Sequence, residues 1–232
     1  MTEYLFPVPT QPSIPVAGEE RLYPVTRIFC VGRNYAEHAR EMGHEVDREA
    51  PFYFLKPASA LVESGATIPY PPGTSDYHHE MELVFAIGKP GFRIGRDKAL
   101  AHVYGYACGL DMTRRDLQQA AKDKRRPWDL GKGFEQSAVV ARMTKADAFG
   151  RPDGKAIALT VNGEAKQSAL LDDLVWKIEE LVSHLSGYFH LAPGDLIFTG
   201  TPAGVGPVAA GDRIVGTVDG LEPVRLTIAQ AE

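Results

Sequence analysis

Glycine and proline punctuate this chain so often that long regular elements have little room. There are 23 Gly and 17 Pro among 232 residues. Glycine supplies turn conformations, while proline fixes φ and removes a backbone donor. A chain divided in this way builds short strands joined by tight turns. The first residues show it most strongly, since Pro7, Pro9, Pro12, Pro15 and Pro24 exclude a helical period. Residues 1–24 are expected to form an extended arm, lying along a neighbouring subunit or loosely tethered, ahead of a single domain over 25–232.

Within that domain, 25–31 reads as a buried strand ended by Gly32-Arg33-Asn34, and 35–42 has helical composition ending near Gly43. Residues 44–50 are a polar loop. Short strands are expected over 52–55, 60–62, 81–87 and 103–110, and a basic, polar helix over 114–126. Residues 156–161 alternate in polarity, turn at Asn162-Gly163 and return over 164–167. Leu171, Leu174, Val175, Ile178, Leu181, Val182 and Leu185 share one face at helical spacing, so one long packed helix is expected there. Pro193-Gly194-Asp195 then turns into a strand over 196–199. The fold class is mixed α+β, mostly β, with one long helix and a short one packed on the sheets.

Composition excludes several functions. The formal charge is −5 and no basic run reaches five residues, so nothing suits a nucleic-acid backbone. Apolar runs fall short of a membrane span, and the first residues lack a basic segment leading into an apolar one. Cys30 and Cys108 lie in apolar runs and read as buried thiols in a cytoplasmic protein.

The densest chemistry lies at His78-His79-Glu80-Met81-Glu82-Leu83. Alternate residues of a strand share a face, so Glu80 and Glu82 project together, away from Met81, Leu83, Phe85 and Ile87. Neighbouring carboxylates repel unless positive charge lies between them, which makes a divalent cation their natural partner. Oxygen-only ligands suit Mg²⁺, Mn²⁺ or Ca²⁺ better than Zn²⁺. The plainer reading is a solvated strand edge. Asp111, directly after the apolar run 103–110, either completes a set of three acids or caps the following helix. Lys132, between Gly131 and Gly133, either holds a carboxylate or oxyanion or sits on a surface turn. His38 and Glu41, three apart on a helix, form either a proton-taking pair or a surface ion pair. The run from Phe198 to Gly206 enters a Gly-rich turn whose N–H groups and Thr hydroxyls suit a carboxylate. No Gly-Lys-Ser/Thr follows it, and the chain contains neither a Gly-x-Ser-x-Gly elbow nor a Cys-x-x-Cys pair.

Taken in order, six segments resemble the fumarylacetoacetate hydrolase family, in particular its short acylpyruvase and fumarylpyruvate hydrolase members. They are Val31-Gly32-Arg33-Asn34-Tyr35-Ala36-Glu37-His38, Phe54-Leu55-Lys56-Pro57, His79-Glu80-Met81-Glu82-Leu83, Leu110-Asp111-Met112-Thr113-Arg114-Arg115-Asp116, Trp128-Asp129-Leu130-Gly131-Lys132, and Thr199-Gly200-Thr201-Pro202-Ala203-Gly204-Val205-Gly206. The Arg-Glu-Met-Gly-His wording at 40–44 leans towards fumarylpyruvate hydrolases of aromatic degradation. The resemblance implies a β-roll catalytic domain, a homodimer, and a Mg²⁺ or Mn²⁺ site that Ca²⁺ can occupy in a crystal. It assigns Glu80, Glu82 and Asp111 to the metal, and Lys132 to the active-site lysine. It places His38 with Glu41 on a lid, and Arg115, Gln118 and Thr201 against substrate. The further metal aspartate and N-terminal domain of larger members have no counterpart that can be placed here.

The function so implied is hydrolysis of the C–C bond of a 2,4-diketo acid, with fumarylpyruvate giving fumarate and pyruvate. Alternatives using the same site are oxaloacetate decarboxylation, keto-acid isomerisation, or binding without catalysis. Tyr53, Ser59 and Gln167 are expected among the residues that select the acyl group.

Overall fold

The computed structural model describes residues 3–41 and 48–232. A central sheet runs in the order Phe52–Lys56, Arg27–Gly32, Asp195–Phe198, Met81–Ile87, Val103–Asp111, Ala138–Val140 and Leu61–Glu63. Thr144–Lys145 adds an eighth strand beside Val103–Asp111. A five-stranded sheet, from Glu164–Leu170 through Ala156–Val161, Arg213–Val218 and Val224–Ala229 to Thr67–Pro69, packs against one face. Its Ile157, Leu159, Ile214 and Leu226 share a core with Met81, Leu83, Phe85 and Ile87. The opposite face carries Val84 and Ala86 into a second core with Ile28, Cys30, Leu196 and Phe198. Every residue of Met81–Ile87 is therefore buried. Alternation survives only as large side chains on one face and small ones on the other.

The second core is closed by the N-terminal segment. Ser13–Ile14 pairs antiparallel with Tyr23–Pro24, Val16 bridges Met143, and Ile14, Val16, Tyr23 and Val25 are buried. Prolines exclude a helix but permit a two-residue ladder, so residues 13–25 fold back onto their own domain; residues 3–10 are exposed. Both cysteines are buried and unpaired. Asn162 and Gly163 have φ of 53° and 84° and close the expected hairpin. Among the described residues, no helix is long and apolar enough to cross a membrane.

The expected long helix is divided. Leu171–Asp173 is a single 3₁₀ turn, residues 174–177 are not helical, and the α-helix is Ile178–Leu185. All seven periodic residues are nonetheless buried. The hydrogen bonds explain the break. Leu174 bridges Tyr35, the Val175 N–H donates to the Asn34 carbonyl (2.8 Å), and the Trp176 N–H donates to Asn34 Oδ1 (2.7 Å). Backbone donors taken by a distant residue cannot serve an i→i−4 ladder.

The shorter helices fall where expected, at Ala36–Glu41 and Arg115–Asp123. The predicted end of the first, near Gly43, and positions 44–47 of the predicted loop lie outside the described residues. Asn34 also donates from Nδ2 to the carbonyls of Thr199 (2.7 Å) and Trp176 (3.0 Å), tying three segments together at the edge of the site. Asn34→Ala would strand these buried groups, and a loss of about 3 kcal/mol in urea unfolding is expected, with the m-value unchanged. A loss below about 0.5 kcal/mol would show that Asn34 is not the tie.

Candidate active site

Strand register brings the acids together. Met81 pairs with Leu110 and Glu82 with Gly109, and the Asp111 N–H donates to the Glu80 carbonyl at 2.9 Å, setting Asp111 opposite Glu80. By alternation Glu80, Glu82 and Asp111 all project from the face that carries Val84 and Ala86, beyond the edge of the second core. Each offers one oxygen, and the three oxygens lie within 4.8 Å of one another. All three residues are buried, which removes the solvated-edge reading. Asp111 does not cap the following helix, whose N-cap is Arg114.

The acids do not share their charge evenly. Burial opposes ionisation of Glu80, but Lys132, Arg115 and His38 more than offset this and hold its carboxyl well below the usual range. Burial, then Asp111 and Glu80, push the Glu82 carboxyl well above it. Glu82 accepts one backbone hydrogen bond, from the Gly200 N–H at 2.7 Å. Lys56 Nζ lies 2.9 Å from Asp111 Oδ1, yet it donates to the carbonyls of Met112 and Lys132, leaving that oxygen without a hydrogen bond. Three dry carboxylates, one reluctant to ionise and one with an unbonded oxygen, fit a hard divalent cation well.

Lys132 is buried, not on a surface turn. It ends the one-turn helix Asp129–Lys132, and its Nζ donates to Glu80 Oε2, Asp111 Oδ2 and Thr113 Oγ1, each at 2.7 Å. Burial alone would lower its pKa, but Asp111 and Glu80 raise it, so the ammonium stays charged. Gly131 permits the approach: a Cβ there would lie 2.9 Å from the backbone of Gln118. Arg115 is placed by the same neighbouring helix. Its Nη1 donates to Gln118 Oε1 (2.7 Å), its Nη2 to Glu80 Oε1, and its Nε to His78 Nδ1 (3.4 Å).

His38 and Glu41 form a pair at 3.1 Å, Nδ1 to Oε2. An ionised Glu41 only accepts, so Nδ1 carries the proton and Nε2 is the basic nitrogen. Glu41 is itself held by the Gly204 N–H, at 3.1 and 3.2 Å to its two oxygens, which docks the Ala36–Glu41 helix on the Gly-rich turn. Thr201, on that turn, accepts from Gln167 Nε2 at 2.8 Å and keeps its hydroxyl proton for another acceptor.

Eight of the nine expected site residues line one pocket: His38, Glu80, Glu82, Asp111, Arg115, Gln118, Lys132 and Thr201. Glu41 stands behind His38. The three residues expected to select the acyl group are not among its walls. The Tyr53 hydroxyl is 3.2 Å from His184 Nδ1, and Ser59 lies in a 3₁₀ turn. Gln167 is buried behind Thr201, accepting from the Met81 N–H and donating to the Pro202 carbonyl. Val31, Arg33, Phe54, Lys122 and Trp128 line the pocket instead. Val31, Arg33, Phe54 and Trp128 lie inside the quoted segments, and Lys122 lies on the expected basic helix between two of them. Lys56, also in such a segment, was missed as the third cation beside the acids.

The architecture and site define a class of enzyme built on a buried carboxylate trio suited to a divalent cation. A family model described as fumarylacetoacetate (FAA) hydrolase C-terminal matches residues 27–229. A fumarylpyruvate hydrolase from Ralstonia sp is 55% identical over 193 residues, which is 82% of this chain and 100% of that protein. A mitochondrial oxaloacetate tautomerase from Arabidopsis thaliana is 40% identical over 203 residues, 88% of this chain and 91% of that one. Among solved structures, fumarylpyruvate hydrolase from Pseudomonas aeruginosa in complex with Mn²⁺ and pyruvate superposes with a TM-score of 0.94. It is 47% identical and covers 98% of this chain and 100% of its own. The chain belongs to the fumarylacetoacetate hydrolase family.

Proposed function

We propose that this protein is a divalent-metal-dependent hydrolase that cleaves the C–C bond of an acylpyruvate, converting fumarylpyruvate to fumarate and pyruvate. The observation that carries the reading is the convergence of the carboxylate trio, Lys132 and the His38–Glu41 pair on one pocket. The similarity to a fumarylpyruvate hydrolase that holds Mn²⁺ and pyruvate supports both substrate and metal. Glu80, Glu82 and Asp111 would hold Mg²⁺ or Mn²⁺. When bound, the cation supplies positive charge that stabilises the enolate left on the pyruvate half.

His38 Nε2 takes a proton from water, with Glu41 holding the imidazole. The hydroxide adds to the carbonyl carbon of the acyl group, and Lys132 Nζ stabilises the oxyanion. Collapse breaks the bond between that carbon and the adjacent methylene carbon; its electron pair forms the pyruvate enolate, which takes up a proton. Arg115, Gln118 and Thr201 orient the substrate carboxylate. All three Lys132 protons are committed to Glu80, Asp111 and Thr113, so the ammonium would become available to the oxyanion where a cation took its place between the two carboxylates.

The relatives named oxaloacetate tautomerases favour a second reading, enol–keto exchange at the same site. Steady-state comparison of fumarylpyruvate, maleylpyruvate, acetylpyruvate and oxaloacetate with Mg²⁺ and Mn²⁺ separates the two. Fumarylpyruvate is expected to show the highest kcat/KM, and EDTA to abolish turnover. Tautomerisation needs no attacking water, so His38→Ala should lower hydrolysis by at least about 10²-fold and affect oxaloacetate differently. Full hydrolytic activity in His38→Ala would remove it as the base. The same reading places the enzyme in aromatic-compound degradation as a cytoplasmic homodimer; exposed Leu55 and Phe189 beside one cleft support an assembly, to be measured by sedimentation.

A further inference from the structure

The pocket carries more positive charge than its acids use. Four cationic side chains line it, Arg33, Arg115, Lys122 and Lys132, against three carboxylates, Glu80, Glu82 and Asp111. Arg115 and Lys132 are engaged with those acids, and Lys56 adds a further cation from behind. Arg33 and Lys122 are not engaged. Neither makes an ion pair among the described residues; the Arg33 guanidinium lies 5.9 Å from the centre of the Phe52 ring and the Lys122 ammonium 5.1 Å from that of Trp128.

Both are held in place at a cost. Arg33 has φ of 59°, the left-handed region that costs a residue with a side chain about 1–2 kcal/mol. Lys122 is partly buried, and its pKa is pushed down to about 8 by burial first and then by Arg115 and Arg33, a shift that Glu80 opposes in part. Cations gathered against mutual repulsion, with no ion pair of their own among the described residues, favour an anion that arrives with the ligand. The same pocket is also lined by the apolar side chains of Val31, Phe54 and Trp128. That combination suits a planar unsaturated chain ending in a carboxylate.

We propose that Arg33 and Lys122 form a second anion subsite that binds a carboxylate at the far end of the acyl group. They thereby select dicarboxylic acylpyruvates over those with a hydrocarbon end. The inference rests on the hydrolase reading for the substrate's orientation, but its test does not depend on turnover.

The test compares fumarate with crotonate, which has a methyl group in place of one carboxylate, by calorimetric titration of the full-length Mn²⁺-loaded protein. Fumarate is expected to bind at least about 10-fold more tightly, because charge-assisted hydrogen bonds are the stronger kind. Arg33→Met/Lys122→Met keeps the aliphatic stems and should narrow the gap to within about 2-fold. Arg33→Lys with Lys122 intact retains both charges and should keep most of it, which separates lost charge from lost folding. In parallel, the kcat/KM ratio for fumarylpyruvate over crotonylpyruvate should fall about 10- to 100-fold in the double variant, mainly through KM. A fumarate preference that survives the double substitution, or is absent from the wild type, overturns the subsite. A wild type that prefers fumarate but hydrolyses neither acylpyruvate overturns the hydrolase reading instead and leaves the subsite standing.

Discussion

Lys132→Ala is expected to lower kcat by about two to three orders of magnitude at saturating metal, the usual loss when one oxyanion donor is removed from a dry site. KM should change far less, because the donor acts on charge that develops only in the transition state. The measurement needs saturating Mn²⁺ for a structural reason. The Lys132 ammonium lies 2.7 Å from both Glu80 and Asp111 and is the one cation among the described residues that bridges them. Its removal leaves Glu80 to Arg115 and Asp111 to Lys56 alone, and losing one partner of a buried ion pair is destabilising by about 3–5 kcal/mol. The metal-free variant is therefore expected to melt well below wild type, and bound cation to restore most of the difference. Turnover within about threefold of wild type under saturating metal would eliminate Lys132 as the oxyanion donor.

Glu82→Gln is expected to move stability and activity in opposite directions. In the metal-free protein Glu82 is buried beside Asp111 and Glu80, with its carboxyl pushed well above the usual range. A carboxyl whose pKa is raised by folding contributes least once the pH has passed upward through its ordinary value, because the folded state resists its ionisation. The wild-type metal-free protein should therefore lose stability as pH rises from the ordinary carboxylate range towards the raised value. Glutamine keeps the shape, can still accept from the Gly200 N–H, and carries no charge to desolvate. Metal-free Glu82→Gln should melt a few degrees above wild type at neutral pH, since 1 kcal/mol moves Tm by about 2–4 °C in a chain of this size. The rise in Tm produced by Mn²⁺ should disappear, and kcat/KM should fall by at least about 10²-fold. A variant that still gains stability from Mn²⁺ and still turns over would mean the cation is held without Glu82.

Much of the site could be read in the sequence because its residues cluster into short segments with local rules. Strand alternation puts Glu80 and Glu82 on one face whatever surrounds them, and helical spacing does the same for His38 and Glu41. The resemblance carried Lys132, Asp111, Arg115, Gln118 and Thr201 as well, and eight of the nine assigned residues share one pocket. The part that failed depended on partners distant in sequence. The seven periodic residues of 171–185 predicted one helix, and Asn34, more than 130 positions away, takes the backbone donors that would have continued it. Gln167 looked suited to touch substrate, but its amide is spent on Met81, Thr201 and Pro202.

Charge shows the same division. From sequence alone, glycine and proline content determined a protein of short strands, and residue types determined which groups could bind a cation or move a proton. Only the tertiary structure decided that those acids are buried, that Glu82 resists ionisation while Glu80 does not, and that Arg33 and Lys122 line the pocket without an ion pair among the described residues. The reason is physical. Local conformation follows from neighbours in the chain, whereas desolvation and Coulomb interactions depend on which distant side chains packing brings within a few ångströms.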